Sequence, residues 1–361
     1  MLRKISISAM ALLCLVQANA QDSTKMAAKD SSKTPDPVKT TTITGSVDVY
    51  YRFNFANAKS SLATNNATSF TNSHNSFELG MASVKLAHSF GKIGAVIDMG
   101  FGSRAKEFSY NETGITQAVK QAYVTYAPSS KVTFTMGKFA THVGYELLDP
   151  QLNRNYSMSY MFSYGPFSHT GLKMDVATSA TTGFMIGISN PNDFISAPFE
   201  KKSFLAQFHA GTADGKFTGY LNYVGGKDTS NATGNQVDLT ILTKLTTMFG
   251  IGFNATLKSV KPDGGSSNSW GGAAVYLNVD PSEKFGFCVR GEYFSDKNNV
   301  TGYFGTNLYE ITATLNIKPM AGLMIMPELR LDGAKDAYFT KHDGTSTKST
   351  GTFLLAAVYS F

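Results

Sequence analysis

Cysteine is nearly absent from this chain, with only Cys14 and Cys288 in 361 residues. Charge is sparse as well, at 16% of residues against roughly 25% in an average soluble protein. Tryptophan occurs once, at Trp270. Beyond the first twenty residues, no stretch approaches the roughly 18 consecutive apolar residues of a membrane helix. These absences rule out a disulfide-stapled fold, a cysteine metal cluster and a helical membrane protein. A chain of this kind can cross a bilayer only as a closed β-barrel, where every backbone hydrogen bond is made between strands. Length alone permits one large domain or two ordinary ones.

What is present starts with an export signal. Arg3 and Lys4 make a positive n-region, residues 5–16 are apolar, and Ala18-Asn19-Ala20 is a small-x-small cleavage site. A lipoprotein signal at Cys14 fits less well, because Leu13 precedes it and Leu15-Val16 continue the apolar run. Loss of residues 1–20 takes the net charge from +6 to +4, too mild an excess to suggest nucleic acid. It also leaves Cys288 as the single thiol. Residues 21–42 are rich in Ser, Thr, Lys, Asp and Pro and read as a disordered periplasmic lead-in.

From Ile43 onward the pattern is period-two alternation. Ile43, Val47, Val49, Tyr51, Phe53 and Phe55 share one face, and Thr44, Ser46, Asp48, Arg52 and Asn54 the other. Similar rows recur at 93–102, 249–257, 285–294 and 323–332, while 77–90 slips phase near Ala82-Ser83, as a β-bulge would make it. Short connections alternate with long polar ones, including 56–76, 140–168 and 333–349. That rhythm predicts an all-β antiparallel transmembrane barrel over 43–361, with about sixteen strands, short periplasmic turns and long outer loops. A secreted β-sandwich also alternates, but it explains neither the rhythm nor the last strand, where Phe353, Leu355, Ala357, Tyr359 and Phe361 share one face. Tyr359 and Phe361 read as the C-terminal signal for barrel assembly.

The faces assigned inward carry Asp48, Arg52, Asp98, Lys120, Lys173, Asp175, Asp238, Arg290, Glu292, Glu310, Glu328, Arg330 and Asp332. Burying so many ionisable groups dry would cost several kcal/mol apiece unless each were paired. A barrel of about sixteen strands avoids this by being wide enough to hold water. Some of these charges also brace the wall, with Arg290/Glu292 and Glu328/Arg330 as the expected pairs.

The most distinctive stretch is 137–171, with Gly137-Lys138-Phe139…Gly144-Tyr145-Glu146, then Asn155-Tyr156-Ser157, Gly165-Pro166-Phe167 and His169-Thr170-Gly171. In these motifs, and in coarse strand pattern over most of 43–361, the chain resembles the OmpL-like β-barrel porin family of Gram-negative, Bacteroidetes-type outer membranes. The resemblance implies passive diffusion of ions and small hydrophilic solutes. Its partners would be outer-membrane lipid, the barrel-assembly machinery and, by analogy, a trimer of copies of itself. The loop near 140–168 is long and aromatic, which suits neither disorder nor free exposure to water. By analogy with porins whose third outer loop folds inward, Glu146, Asp149 and Arg154 are expected at a constriction. They would face Arg52, Arg290 and Arg330, with Lys120, Glu292 and Glu328 on the surrounding wall, since opposed rows of charge set selectivity.

Other motifs lead nowhere. Gly250-Ile251-Gly252-Phe253-Asn254-Ala255 matches a dinucleotide fingerprint but lies inside an alternating strand. No two histidines have close metal-ligand spacing, although His142 and His169 bracket the loop and could meet at its base. His88 and Ser89 point to opposite faces, so no hydrolase site is built there. No cofactor is implied, and an enzyme is not expected. Two other readings stay open: a structural or adhesive barrel with a plugged lumen, and a solute-specific channel.

Overall fold

A wall between lipid and water needs strands whose side chains alternate between the two. The computed structural model describes residues 39–59, 64–197 and 201–361. The expected signal peptide and residues 21–38 of the lead-in lie outside the described residues.

The chain runs through β1 (Lys39–Asn54), β2 (Ser76–Phe90), β3 (Ile93–Phe101), β4 (Val119–Ser129) and β5 (Val132–Ala140). After the connection 141–167 come β6 (Ser168–Ala177), β7 (Thr182–Ser189), β8 (Ser203–Gly211), β9 (Phe217–Lys227) and β10 (Thr233–Lys244). Then follow β11 (Phe249–Lys261), β12 (Asn268–Ser282), β13 (Phe285–Ser295), β14 (Asn307–Met320) and β15 (Leu323–Ala334). A small ladder of β16 (Phe339–Thr340) and β17 (Ser346–Thr347) ornaments the last outer loop, and β18 (Ser349–Ser360) returns to the wall. Strand β18 pairs antiparallel with both β15 and β1, closing a barrel of sixteen strands. Closure leaves no unpaired strand edge to template aggregation. Turns at one end span two to five residues, whereas the connections at the other end reach the length of 141–167.

Strand β1 begins at Lys39, four residues before alternation sets in, because 39–42 complete a ladder with 87–90 of β2. The phase slip in β2 is a bulge at Gly80, slightly earlier than the sequence suggests. Asp48 faces Met81 while Val49 faces Leu79. Glycine is required there: a Cβ would stand 1.8 Å from Asp48 Oδ2 and 2.6 Å from the Tyr156 hydroxyl. At the seam, Gly45 and Phe361 exchange backbone hydrogen bonds of 3.0 Å in both directions. The Phe361 ring lies over Gly45, where a Cβ would meet it at 2.6 Å.

The outer face is apolar and exposed, as lipid contact demands. Aromatic rings mark its two ends, with Phe90, Tyr126, Phe285 and Tyr359 toward the short turns and Phe77, Phe101, Tyr293 and Tyr309 toward the long loops. Such girdles sit where hydrocarbon gives way to headgroups. Among the described residues no helix is long and apolar enough to cross a membrane, so the crossing falls to the strands.

Candidate functional site: the lumen and the loop across it

Residues 141–167 abandon alternation, and their turns are built from local chemistry. Pro150 opens a short helical turn, Pro150–Leu152, and Ser159 caps the helix Tyr160–Tyr164 by accepting from the Phe162 N–H at 3.1 Å. Every residue of 141–167 is buried or half-buried. Tyr156, Met158 and Tyr160 are wholly buried. The segment leaves from β5 and is fastened to β13, which lies eight places away round the ring of sixteen. It therefore crosses the full width of the lumen.

Carboxylates on the far wall accept the loop's peptide N–H groups. Glu292 takes those of Tyr160 at 2.6 Å and Met161 at 2.8 Å, and Glu328 those of Tyr156 at 2.8 Å and Ser157 at 3.2 Å. Asp238 accepts from Gly144 N–H at 3.1 Å. Guanidinium groups take the carbonyls: Arg290 donates to Ser157 O at 2.8 Å and Arg330 to Met158 O at 2.7 Å. Two tyrosine hydroxyls finish the seam, Tyr156 donating to Asp48 and Tyr160 to Asp332, each at 2.6 Å. Hydrogen bonds with one ionised partner are roughly twice as strong as neutral ones.

Ion pairs add to this. Arg290, at 0% exposure, pairs with Glu146 of the loop and Glu310 of β14. Lys120 bridges Asp98 of the wall, at 3.1 Å, and Asp149 of the loop. Arg154 pairs with Asp280 of β12. Between these polar contacts lie apolar clusters inside the barrel. Tyr160 and Met161 pack with Trp270, Tyr276 and Phe294. Leu148, Met158, Phe162 and Phe167 pack with Phe70, Met81 and Phe108. Tyr156 sits against Tyr50, Met326 and Leu354, and Val143 against Phe139, Leu205 and Val224.

Of the residues expected at a constriction, Glu146, Asp149 and Arg154 lie on the loop and Lys120, Arg290, Glu292, Glu328 and Arg330 hold it from the wall, but not in the expected partnerships. Of the proposed opposed charges, only Glu146 and Arg290 meet. Asp149 meets Lys120, and Arg154 meets an acid, Asp280. Arg52 instead holds the first outer connection, donating to Ser73 O at 2.6 Å and Thr64 O at 2.9 Å. The bracing pairs are corrected too. Arg290 pairs with Glu310 rather than Glu292, and Arg330 with Asp332 rather than Glu328, because Glu292 and Glu328 are spent on loop N–H groups.

Two residues escaped the sequence reading. Arg104 lies between the rings of Phe70 and Tyr156, 5.4 and 4.7 Å from their centroids, and donates to Leu148 O and Tyr156 O. Asp193, from the connection after β7, accepts from the N–H groups of Phe167 and Ser168 at 2.7 and 2.8 Å. Burial pushes its carboxyl up to about 6. An Asn-Pro-Asn-Asp turn with positive φ at Asp193 is the signal that could have pointed there. His142 and His169 do meet at the loop's base, with ring centroids 5.4 Å apart. Burial holds His142 down to about 4, so its ring is neutral and donates from Nε2 to Tyr223 O at 3.0 Å.

A closed sixteen-stranded barrel with a lipid-facing apolar wall and a loop folded into a polar lumen is an outer-membrane channel of the porin type. Comparison with known proteins narrows this. Residues 40–361 match the family described as "Putative beta-barrel porin-2, OmpL-like", and the chain belongs to it. The fold is similar to that of the outer membrane channel DcaP of Acinetobacter baumannii, at 14% identity and TM-score 0.61 over 90% of this chain and 97% of that one. It is also similar to an anion-selective porin from Comamonas acidovorans (8%, 0.63, 90% and 100%). OmpT, an outer membrane protein of Vibrio cholerae, gives 10%, 0.58, 90% and 98%. At such identities the likeness shows the fold, and their specificities remain their own. No curated protein matches the chain.

Proposed function

We propose that this porin passes ions and small hydrophilic solutes through a passage narrowed by the 141–167 loop. The observation that carries this reading is the loop's full crossing of the lumen with no residue exposed. In this reading Glu146, Asp149 and Arg154 set the width by holding the loop in place, and Lys120, Arg290, Glu292, Glu328 and Arg330 are the wall points to which it is held. Export through a cleaved signal at 1–20, recognition of Tyr359 and Phe361 by the barrel-assembly machinery, and a trimer of barrels complete the account.

Planar-bilayer recording tests it: purified barrels should give stable open channels, and removal of part of the loop should raise their conductance. A second reading, a structural barrel with a plugged lumen, is favoured by the apolar clusters packed between loop and wall. It predicts silent membranes. A saturable conductance blocked by one solute would mark a solute-specific channel.

A further inference from the structure

The charge that counts for selectivity is the charge still in contact with lumen water, and most lumen carboxylates are not. Glu146, Glu292, Glu310, Glu328 and Asp332 are all nearly inaccessible. Each is engaged locally: Glu146 and Glu310 share Arg290, Asp332 pairs with Arg330, and Glu292 and Glu328 each accept a pair of peptide N–H groups. They face the loop seam rather than open lumen water, and their partners lie within hydrogen-bond distance.

Among the described residues, Lys85 and Lys244 are lumen-face cations with no such answer, as are Lys258, whose ammonium lies over the Trp270 ring at the long-loop end, and Lys318 beside a short turn. Lys85 alternates with the lipid-facing Val84 and Leu86 of β2, and Lys244 follows Asp238, Thr240 and Leu242 along the inner face of β10. Both are only half-buried, and neither has an ion pair among the described residues. The acid across from Lys85 is Asp98, which is already engaged by Lys120 and Gln121. Lys244 borders a short turn, and Lys85 lies in the half of β2 nearer its short turn. The turns at that end add Lys92, Lys131, Lys216 and Lys284 against Asp214 and Glu283, and the partly exposed acids Asp175 and Asp280 are held by Lys173 and Arg154. A lumen lined by one sign of charge between low-dielectric walls concentrates the opposite ion.

Resting on the pore reading, we propose that the periplasmic half of the lumen is an anion-attracting vestibule, with Lys85 and Lys244 as its selectivity-determining residues. The substrate class is then small anions in preference to cations of the same size.

The test is the reversal potential of the full barrel in a planar bilayer under a potassium chloride gradient. Near about 0.1 M salt, where the Debye length is about 10 Å, the wild type should prefer chloride. The preference should fade near about 1 M, where that length is about 3 Å. The K85Q/K244Q variant should move the reversal potential toward zero, and K85E/K244E should move it to the potassium side. Both side chains are half-buried and neither is in an ion pair among the described residues, so each change alters charge without breaking a salt bridge. A potassium preference in the wild type, or a charge-reversed variant with an unaltered reversal potential, would overturn the assignment while leaving the pore reading intact. Membranes that never conduct would overturn the pore reading, and this assignment with it.

Discussion

Replacing Arg290 with Met probes the seam where it is most concentrated. One guanidinium serves the loop carboxylate Glu146, the wall carboxylate Glu310 and the loop carbonyl of Ser157. Methionine fills similar volume but leaves two buried carboxylates without their cation. Breaking a buried pair in this way costs about 3–5 kcal/mol, or about two to four powers of ten in the docking equilibrium of the loop. The barrel itself keeps its inter-strand ladder, so the loss should fall on the loop. Chymotrypsin reports it: Tyr156 and Tyr160 are wholly buried and should resist cleavage in the wild type. In R290M the chain should be cut near those residues, while unheated electrophoresis still shows a folded barrel. Adding Glu146→Gln removes one stranded charge, so the double variant should be milder than the two single effects combined, by about 0.5–3 kcal/mol. A loop in R290M as protected as the wild type's would refute the reasoning and reduce Arg290 to a brace within the wall.

Three further outcomes follow from the geometry. Gly80→Ala places a methyl group against Asp48 and Tyr156 and should lower the unfolding free energy by about 1–3 kcal/mol in a denaturant titration. Asp193 and His142 oppose each other in acid. The raised carboxyl contributes stability below about 4 that is lost as pH rises through about 6, whereas the depressed imidazole contributes stability above 6.5 that is lost as pH falls toward about 4. Asp193→Asn should therefore steepen the loss of stability on acidification and His142→Gln should flatten it, in unfolding curves taken across pH 4 to 6.5. Deleting Phe361 removes the two backbone bonds to Gly45 at the barrel seam, and should reduce the folded fraction seen by heat-modifiable mobility.

The wall was legible in the sequence because lipid and lumen impose opposite chemistry on alternate residues. Val47 and Val49 against Asp48, or Leu329 and Leu331 against Arg330, declare their faces without any tertiary knowledge. The loop's inward fold was legible in outline from its aromatic, weakly charged composition. Its partnerships were not, because Arg290 meets Glu146 from 144 positions away and nothing local selects Glu146 over the adjacent Glu292. Arg52 shows the same limit, since all its partners but the Thr352 hydroxyl are backbone carbonyls, which every residue carries. The bulge at Gly80 was read slightly late: period two reveals that a phase is lost, while the residue at fault is fixed by the Tyr156 hydroxyl reaching Asp48 across the lumen.

The most direct measurement is the single-channel conductance of the purified barrel, recorded beside a variant lacking the helix Tyr160–Tyr164 and its Ser159 cap. A channel narrowed by the crossing loop predicts small, stable steps for the full chain and clearly larger ones for the variant. Equal conductance from the two would contradict it.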